Sequence, residues 1–335
     1  MSRRPKMRAA TWFRLALGVV VTGLLFTVIL RQFDLELAWA RVFECDLVWL
    51  GWTVLSSFAV LVLRAFRFWA FLPRVPFSIM TAAVAIQTAL LRITPLRLGE
   101  FMLPLTLKTE AETAPEETLI VLLRIRLVEL WTTALVAFAA VVLTFGGQGL
   151  GLAVAGLALP AVGLSILKFS AWLRWLFRWV QRVMRWTGFD RFGKVVRLIQ
   201  RFEEAAQLDG QPSAFQVGAL GGGTLAIVIA QMFMFYGIMQ CYQIQVDGIQ
   251  TVVGASVAQF TGMVPVAALG NVGTLEAGWV AGFTAVGIDL NDAIFSGLAA
   301  QVLTLAFAWI FAVPSWGFLW WRRWRRRRGI TASGI

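Results

Sequence analysis

The sequence contains no histidine, only two cysteines and two tyrosines, and charged residues make up 14% of its 335 positions. Without histidine, imidazole metal sites, Ser-His and Cys-His nucleophiles and histidine general bases are excluded. Cys45 and Cys241 are too few for a zinc cluster or a disulfide framework. Both are predicted on the same face of a membrane, which leaves a single bridge open, but we expect two unpaired thiols. No catalytic residue, metal or cofactor is expected.

Hydrophobic residues, by contrast, make up 59% of the chain, and uncharged windows recur along it. These windows are long enough to cross about 30 Å of hydrocarbon, which predicts an all-α integral membrane protein. The net charge of +12 raises the question of nucleic-acid binding. The basic residues flank apolar windows instead of forming a soluble basic face, so no nucleic-acid partner is expected.

The apolar windows predict about six full spans in a single polytopic membrane domain over residues 1–335. We place them at 15–30, 47–63, 118–145, within 146–167, at 215–239 and at 293–320. The first window resembles a signal peptide, but the rest of the chain is also membrane-embedded, so we predict an uncleaved span. Basic residues in 1–14, 64–76 and the tail 322–335 predict a cytoplasmic membrane protein with both termini in the cytoplasm.

Two further apolar segments are interrupted near their middle. Each carries proline, then glycine, then glutamate: Pro95, Gly99 and Glu100 within 78–106, and Pro265, Gly270, Gly273 and Glu276 within 249–288. Proline and clustered glycine break a straight spanning helix, and an intramembrane carboxylate by default marks a functional site. We predict two re-entrant hairpins, hinged at Pro95, Gly99 and Pro265. The alternative for the second segment is one long helix that tolerates Glu276.

The order of span, broken element and span occurs twice, in residues 47–145 and again in 215–320. The charge pattern lets the first broken element enter from the cytoplasm and the second from outside. This arrangement predicts an inverted repeat, which in transporters places the substrate site near the midplane between broken helices.

Between the two halves, residues 168–201 hold nine Lys or Arg against one Asp. Tryptophans form one stripe on a helical wheel and a second stripe consists of Arg174, Arg178, Arg182 and Arg185. This pattern predicts an amphipathic helix lying on an anionic cytoplasmic leaflet. We interpret it as an anchor, with direct recruitment of a lipid substrate as the alternative.

Three segments, residues 92–100, 126–129 and 264–276, together resemble the signature regions of a known family. This is the flippase-like family named for the transmembrane region of lysylphosphatidylglycerol synthase, and the resemblance extends over roughly residues 10–320. It implies a protein that translocates or handles lipids. We expect a stand-alone member without the aminoacyl-transferase domain. Because such members are also associated with polyprenyl-linked sugars and hopanoid-related lipids, the substrate stays open.

The charged residues of these segments are the candidate substrate-binding site. Guanidinium groups suit phosphate oxygens, so we expect phosphate contacts from Arg92, Arg97, Arg124 and Arg126. The carboxylates would hold these arginines, receive a cationic headgroup or carry protons, and they are Glu100, Glu129 and Glu276. Gly270 and Gly273 complete the site. Arg97–Glu100 and Arg126–Glu129 are alternatively structural pairs, and Arg64 and Arg67 are predicted to snorkel at the inner interface.

These patterns favour a lipid flippase or transporter that is not an enzyme. Its expected partner is a membrane lipid, either an anionic phospholipid or a lipid-linked phosphate. A homo-oligomer, or association with a lipid or glycan synthesis enzyme, stays open. The alternatives are a membrane-embedded transferase that uses Glu100 or Glu276 as base, and a scaffold of an envelope-synthesis complex. The sequence has no ATP-binding loop, so transport is expected to be passive or ion-coupled.

Overall fold

The computed structural model describes residues 44–145, 212–263 and 274–328, together with Phe169, Trp175, Trp179 and Arg182. The regular elements of the three ranges are all helical. In chain order they are α1 Leu47–Phe71, α2 Phe77–Ile93, a 3-10 segment Pro95–Phe101, α3 Met102–Ala111, α4 Pro115–Phe145, α5 Ala214–Cys241, α6 Gly248–Met263, α7 Thr274–Ala285 and α8 Leu290–Arg327.

Three of these helices, α1, α5 and α8, are long and apolar enough to cross a membrane. The predicted boundaries were close, except that α1 runs eight residues beyond Leu63 and α8 continues through the basic cluster that begins at Arg322. Polar caps fix where the helices begin. The Asp46 carboxylate accepts the amide hydrogen of Val48, 2.7 Å away, at the start of α1. The predicted spans at 15–30 and within 146–167 lie outside the described residues.

The first broken element is an antiparallel hairpin made of α2, the 3-10 segment and α3. Helix α2 ends at Ile93, because a residue that precedes proline avoids helical geometry, and Thr94 is extended with ψ 133°. The chain then folds back on α2. Gly99 lies so close to the backbone of Leu90 and Leu91 that a Cβ atom would overlap with it. The amide of Gln87 donates to the carbonyl of Glu100 at 3.4 Å, one helical turn further back along α2.

The second broken element is also an antiparallel hairpin, built from α6 and α7. The contacts run in opposite order along the two helices: Gly278 lies against Thr261, Gly282 against Val257, and the Gln250 amide donates to the Val286 carbonyl at 3.0 Å. Small residues permit this close approach of two backbones. One unbroken helix over 249–288 is therefore excluded. The connecting residues 264–273, with Pro265, Gly270 and Gly273, lie outside the described ranges.

The two hairpins open at opposite ends of the bundle. The end that we call the acidic end contains the start of α1 and α8, the end of α5 and the open end of the α6–α7 hairpin. The backbone amide of Asp46 donates to the Cys241 carbonyl at 2.9 Å, and the rings of Tyr242 and Phe295 meet edge to face with 4.9 Å between centroids, which connects these termini. The described charged residues at the acidic end are all acidic, and they are Glu44, Asp46, Asp247, Asp289 and Asp292.

The opposite, basic end contains the last turns of α1 and α8 and the open end of the α2–α3 hairpin. Here Arg74, just beyond α1, pairs with Glu117 of α4. Arg323 near the end of α8 pairs with Glu110 near the end of α3, whose side chain is fully buried. Arg74 precedes the first residue of the α2–α3 hairpin and Glu110 lies near its last residue. The start of α2 and the end of α3 are therefore both at the basic end.

A disulfide joins Cys45, before α1, to Cys241, the last residue of α5, at the acidic end. The expectation of two unpaired thiols is therefore wrong. The bridge follows from the antiparallel packing of α1 against α5, which brings the two Cα atoms to 4.8 Å although the residues are 196 positions apart in sequence.

We expect that replacing Cys45 and Cys241 by serine will lower the free energy of unfolding by about 2–4 kcal/mol, because the bridge closes a long loop in the unfolded chain. Thermal unfolding in detergent measures this. Adding a reductant should destabilise the wild type and leave the serine variant unchanged. Reaction of the native, unreduced protein with two equivalents of maleimide would contradict the bridge, since the sequence has no other cysteines.

The predicted surface helix at 168–201 is described at four positions. Trp175, Trp179 and Arg182 are helical and exposed, and Phe169 is buried. Arg174, Arg178 and Arg185 lie outside the described residues, so the predicted amphipathic helix remains a prediction.

Candidate functional site

The inner ends of α2, α6 and α7 line a shared cavity of about 180 Å³, which we call the arginine cavity. Seven of the eight described helices contribute to its lining, including α6 through Gly262 near its end and α7 through Leu275 at its start. Its charged and amide-bearing lining residues are Arg64 of α1, Arg92 of α2, Arg126 of α4, Gln231 of α5, Gln259 of α6 and Gln301 of α8. No carboxylate is found among the described lining residues.

Two of the three cavity arginines, Arg64 and Arg92, form no direct ion pair with a carboxylate in the part of the chain that the structure describes, although the charge of Glu129 acts on Arg64 from beyond contact distance. The Arg64 Nε atom is buried without a hydrogen bond. Arg92 donates from Nη1 to the Thr304 hydroxyl at 2.9 Å and forms no ion pair with the described carboxylates. Holding a cation away from water without a counter-ion is costly, and guanidinium forks match phosphate or carboxylate oxygens. The arrangement therefore suits an anionic ligand.

The third cavity arginine, Arg126, belongs to a chain of ion pairs. Its Nη1 atom donates to Glu129 at 2.6 Å, as the spacing of three residues predicted, and its Nη2 atom lies 3.0 Å from Glu100. Glu129 also accepts from Nη2 of Arg67, whose Nη1 donates to the Thr224 hydroxyl at 2.8 Å. This series of ion pairs connects α1, α4, α5 and the 3-10 segment of the first hairpin beside the cavity.

The prediction that Arg64 and Arg67 snorkel at an interface is wrong. Arg67 has a side chain that is 1% exposed and it binds Glu129, while Arg64 lines the arginine cavity. Both lie inside α1 because the helix continues to Phe71. The apolar residues that follow Arg67 in the sequence indicated that α1 continues beyond this arginine. Arg64 was missed as a site residue for this reason.

The other predicted site residues lie in different environments. Arg124 is 1% exposed and does not line the arginine cavity. Its guanidinium lies over the rings of Phe71 and Phe169, at 5.1 and 4.8 Å. Glu276 is buried in the first turn of α7, directly after the lining residue Leu275. Only the backbone is described for Pro95 and Arg97.

Thr88, Thr304 and the three glutamines add neutral polar groups to the lining of the arginine cavity, and the charge pattern of the sequence did not indicate them. Gln231 and Gln301 each stand alone among apolar neighbours within a long helix, which is a signal comparable to that of a charged residue. The Thr88 and Thr304 hydroxyls donate to backbone carbonyls one turn earlier, at 2.8 and 2.6 Å. The described residues contain no cluster of metal-ligating side chains.

Comparison with known proteins adds one finding. The family model described as lysylphosphatidylglycerol synthase TM region matches residues 15–312, a range that includes both hairpins and every lining residue of the arginine cavity. No curated protein and no solved structure matches the chain. Together with its long apolar helices, the match makes the chain a membrane protein of lipid-related function. It belongs to the family of the lysylphosphatidylglycerol synthase transmembrane region.

Proposed function

We propose that this protein moves the headgroup of an anionic phospholipid or of a lipid-linked phosphate between the leaflets of the cytoplasmic membrane. One observation carries the proposal: the arginine cavity is lined by three arginines and three glutamines without a described carboxylate, and Arg64 and Arg92 form no direct ion pair with any described acidic residue. A phosphate supplies the missing negative charge, and the glutamine amides add donors for its oxygens.

The proposed placement has six full crossings: α1, α4, α5 and α8, together with the apolar windows at 15–30 and within 146–167. The hairpins are then re-entrant, the first from the cytoplasm and the second from outside, as an inverted repeat of residues 47–145 and 215–320. The basic end and both chain termini face the cytoplasm under the positive-inside rule. The disulfide supports the same orientation independently, because it lies at the acidic end, where an oxidising compartment would preserve it.

Energetics explain why such a protein needs a polar cavity only for the headgroup. Each methylene that leaves an apolar environment for water costs about 0.8 kcal/mol, so the acyl chains stay in apolar surroundings throughout. The charged headgroup has the opposite preference and cannot cross the hydrocarbon core without polar partners. A cavity of about 180 Å³ lined by arginines and amides provides these partners where the inner ends of α2, α6 and α7 come together.

We propose that no covalent bond forms or breaks in this site. The arginines and glutamines of the lining are neither nucleophiles nor bases, and the hydroxyls of Thr88 and Thr304 are engaged with backbone carbonyls. The proposed partners are therefore membrane lipids, which enter and leave unchanged.

Reconstitution into vesicles tests the function. Phosphatidylglycerol and phosphatidylcholine that carry the same short fluorescent acyl chain are placed in both leaflets, and albumin extracts only the outer pool. Protein should make the inner phosphatidylglycerol extractable, faster than phosphatidylcholine, and chromatography should recover the lipid unchanged. Extraction that stops at the level of empty vesicles would contradict transport, and conversion of the lipid to a new species would favour a transferase.

A further inference from the structure

A smaller cavity of about 40 Å³, which we call the side branch, continues from the arginine cavity between α1 and α8. The two share six lining residues, namely Arg64, Thr88, Arg92, Gln231, Met234 and Thr304. Beyond these the side branch changes character. Its remaining walls carry no charge and are formed by Ser57, Val60, Leu61, Ala85, Ala308 and Phe311.

The side branch ends close to the outer surface of the bundle. Phe311 lines it and is half-buried. The Phe311 ring packs against that of Phe58 with 5.6 Å between centroids, and Phe58 is 47% exposed. A pair of aromatic rings thus separates the side branch from the surface. The helix faces outside this wall are apolar, since Leu55 and Ile310 are exposed there too, each by more than half.

The other extension of the arginine cavity has the opposite chemistry. It is a space of about 20 Å³ bordered by Arg67, Arg126 and Glu129, the members of the ion-pair chain. An acyl chain there would be in contact with ionised groups, which is unfavourable. Of these two extensions, only the side branch offers an apolar path from the headgroup site towards the surface.

We propose that the side branch is the lateral passage through which the acyl chains of a lipid whose headgroup occupies the arginine cavity reach the bilayer, with Phe58 and Phe311 as its movable wall. This inference rests on the proposed function. It states where the tails lie: they leave the protein laterally between α1 and α8, while Arg64 and Arg92 hold the phosphate at the inner end of the same space.

Filling the side branch tests the passage. Ser57→Trp places an indole within it, and Leu55→Trp places the same group on the exposed face of the same helix as a matched control. We expect Ser57→Trp to slow phosphatidylglycerol transport about tenfold or more, and Leu55→Trp to stay within about twofold of the wild type. Binding of glycerol 3-phosphate, which has no tails, should be equal in all three proteins. Equal transport by the two tryptophan variants would overturn the passage.

Two further measurements cover the remaining outcomes. If Ser57→Trp does not fold, Phe311→Ala tests the passage instead. Removing the Phe311 ring from the wall should raise the transport rate several-fold. An unchanged or lower rate contradicts the proposal. Phosphatidylglycerol with a photoreactive group on an acyl carbon next to the ester should label Ser57 and Phe311, and excess glycerol 3-phosphate should suppress this labelling. Labelling confined to the exposed Leu55 and Ile310 would overturn the passage. A wild type that moves no lipid would instead contradict the proposed function, and the labelling then still decides whether tails occupy the branch.

Discussion

Replacing both Arg64 and Arg92 by glutamine is expected to lower lipid transport about a hundredfold or more while the protein stays folded. Each substitution removes charge-assisted hydrogen bonds to the phosphate, worth about 1.5–3 kcal/mol, and each 1.4 kcal/mol corresponds to a factor of ten in rate. Neither arginine has a direct ion pair with a described carboxylate, and Glu129, whose charge also acts on Arg64, keeps its bonds to Arg67 and Arg126, so no described carboxylate loses its only cationic partner. The albumin-extraction assay measures the rate, and thermal unfolding in detergent measures the stability.

Arg74→Gln is the matched control for this double variant. Arg74 pairs with Glu117 at the basic end, but its side chain is 76% exposed, so the pair contributes little to stability and lies away from the cavity. We expect its transport rate and melting temperature to stay near those of the wild type. Equally mild effects of the double variant and of Arg74→Gln would show that the arginine cavity does not hold the headgroup.

The two hairpins were predictable because proline, glycine and glutamate interrupt the apolar pattern in the same order twice. Their fold-back geometry depends on contacts that no pattern displays. Gly99 touches the backbone at Leu90 and Leu91, and Gly278 faces Thr261, only because each hairpin closes. The disulfide was missed for the same reason. Its two cysteines become neighbours through the packing of α1 against α5.

The candidate site could be predicted from the sequence only in part, because the presence of a charged residue does not show which side of a helix its side chain points to. Arg124 and Arg126 are two positions apart, so they point to different sides of α4. Arg126 lines the cavity and Arg124 lies on aromatic rings. Helix length was the second obstacle. Positive-inside reasoning treats arginines after an apolar window as the end of a span, whereas α1 continues past Arg64 and Arg67 and carries them into the interior.

Glu129→Gln is expected to be strongly destabilising, by about 3–5 kcal/mol, because it removes the carboxylate of a buried ion pair and leaves the charge of Arg67 uncompensated. Arg67 is 1% exposed, its Nη2 atom binds Glu129, and its other described hydrogen-bond partner is the neutral Thr224 hydroxyl. Thermal unfolding in detergent measures the loss. A melting temperature equal to that of the wild type would show that Glu129 does not hold the ion-pair chain together.

A double variant separates the structural part of this loss from the functional one. Replacing a buried ion pair by apolar residues of similar volume is often neutral for stability, so Arg67→Met combined with Glu129→Leu should recover most of the melting temperature. Transport should not recover, because Arg126 keeps Glu100 but loses the second carboxylate that fixes its guanidinium beside the cavity. The two groups of arginines then differ in a measurable way. Substituting Arg64 and Arg92 should lower the transport rate and leave the melting temperature unchanged, whereas disturbing the ion pair of Arg67 should lower the melting temperature. Full recovery of transport in the double variant would mean that Glu100 alone positions Arg126.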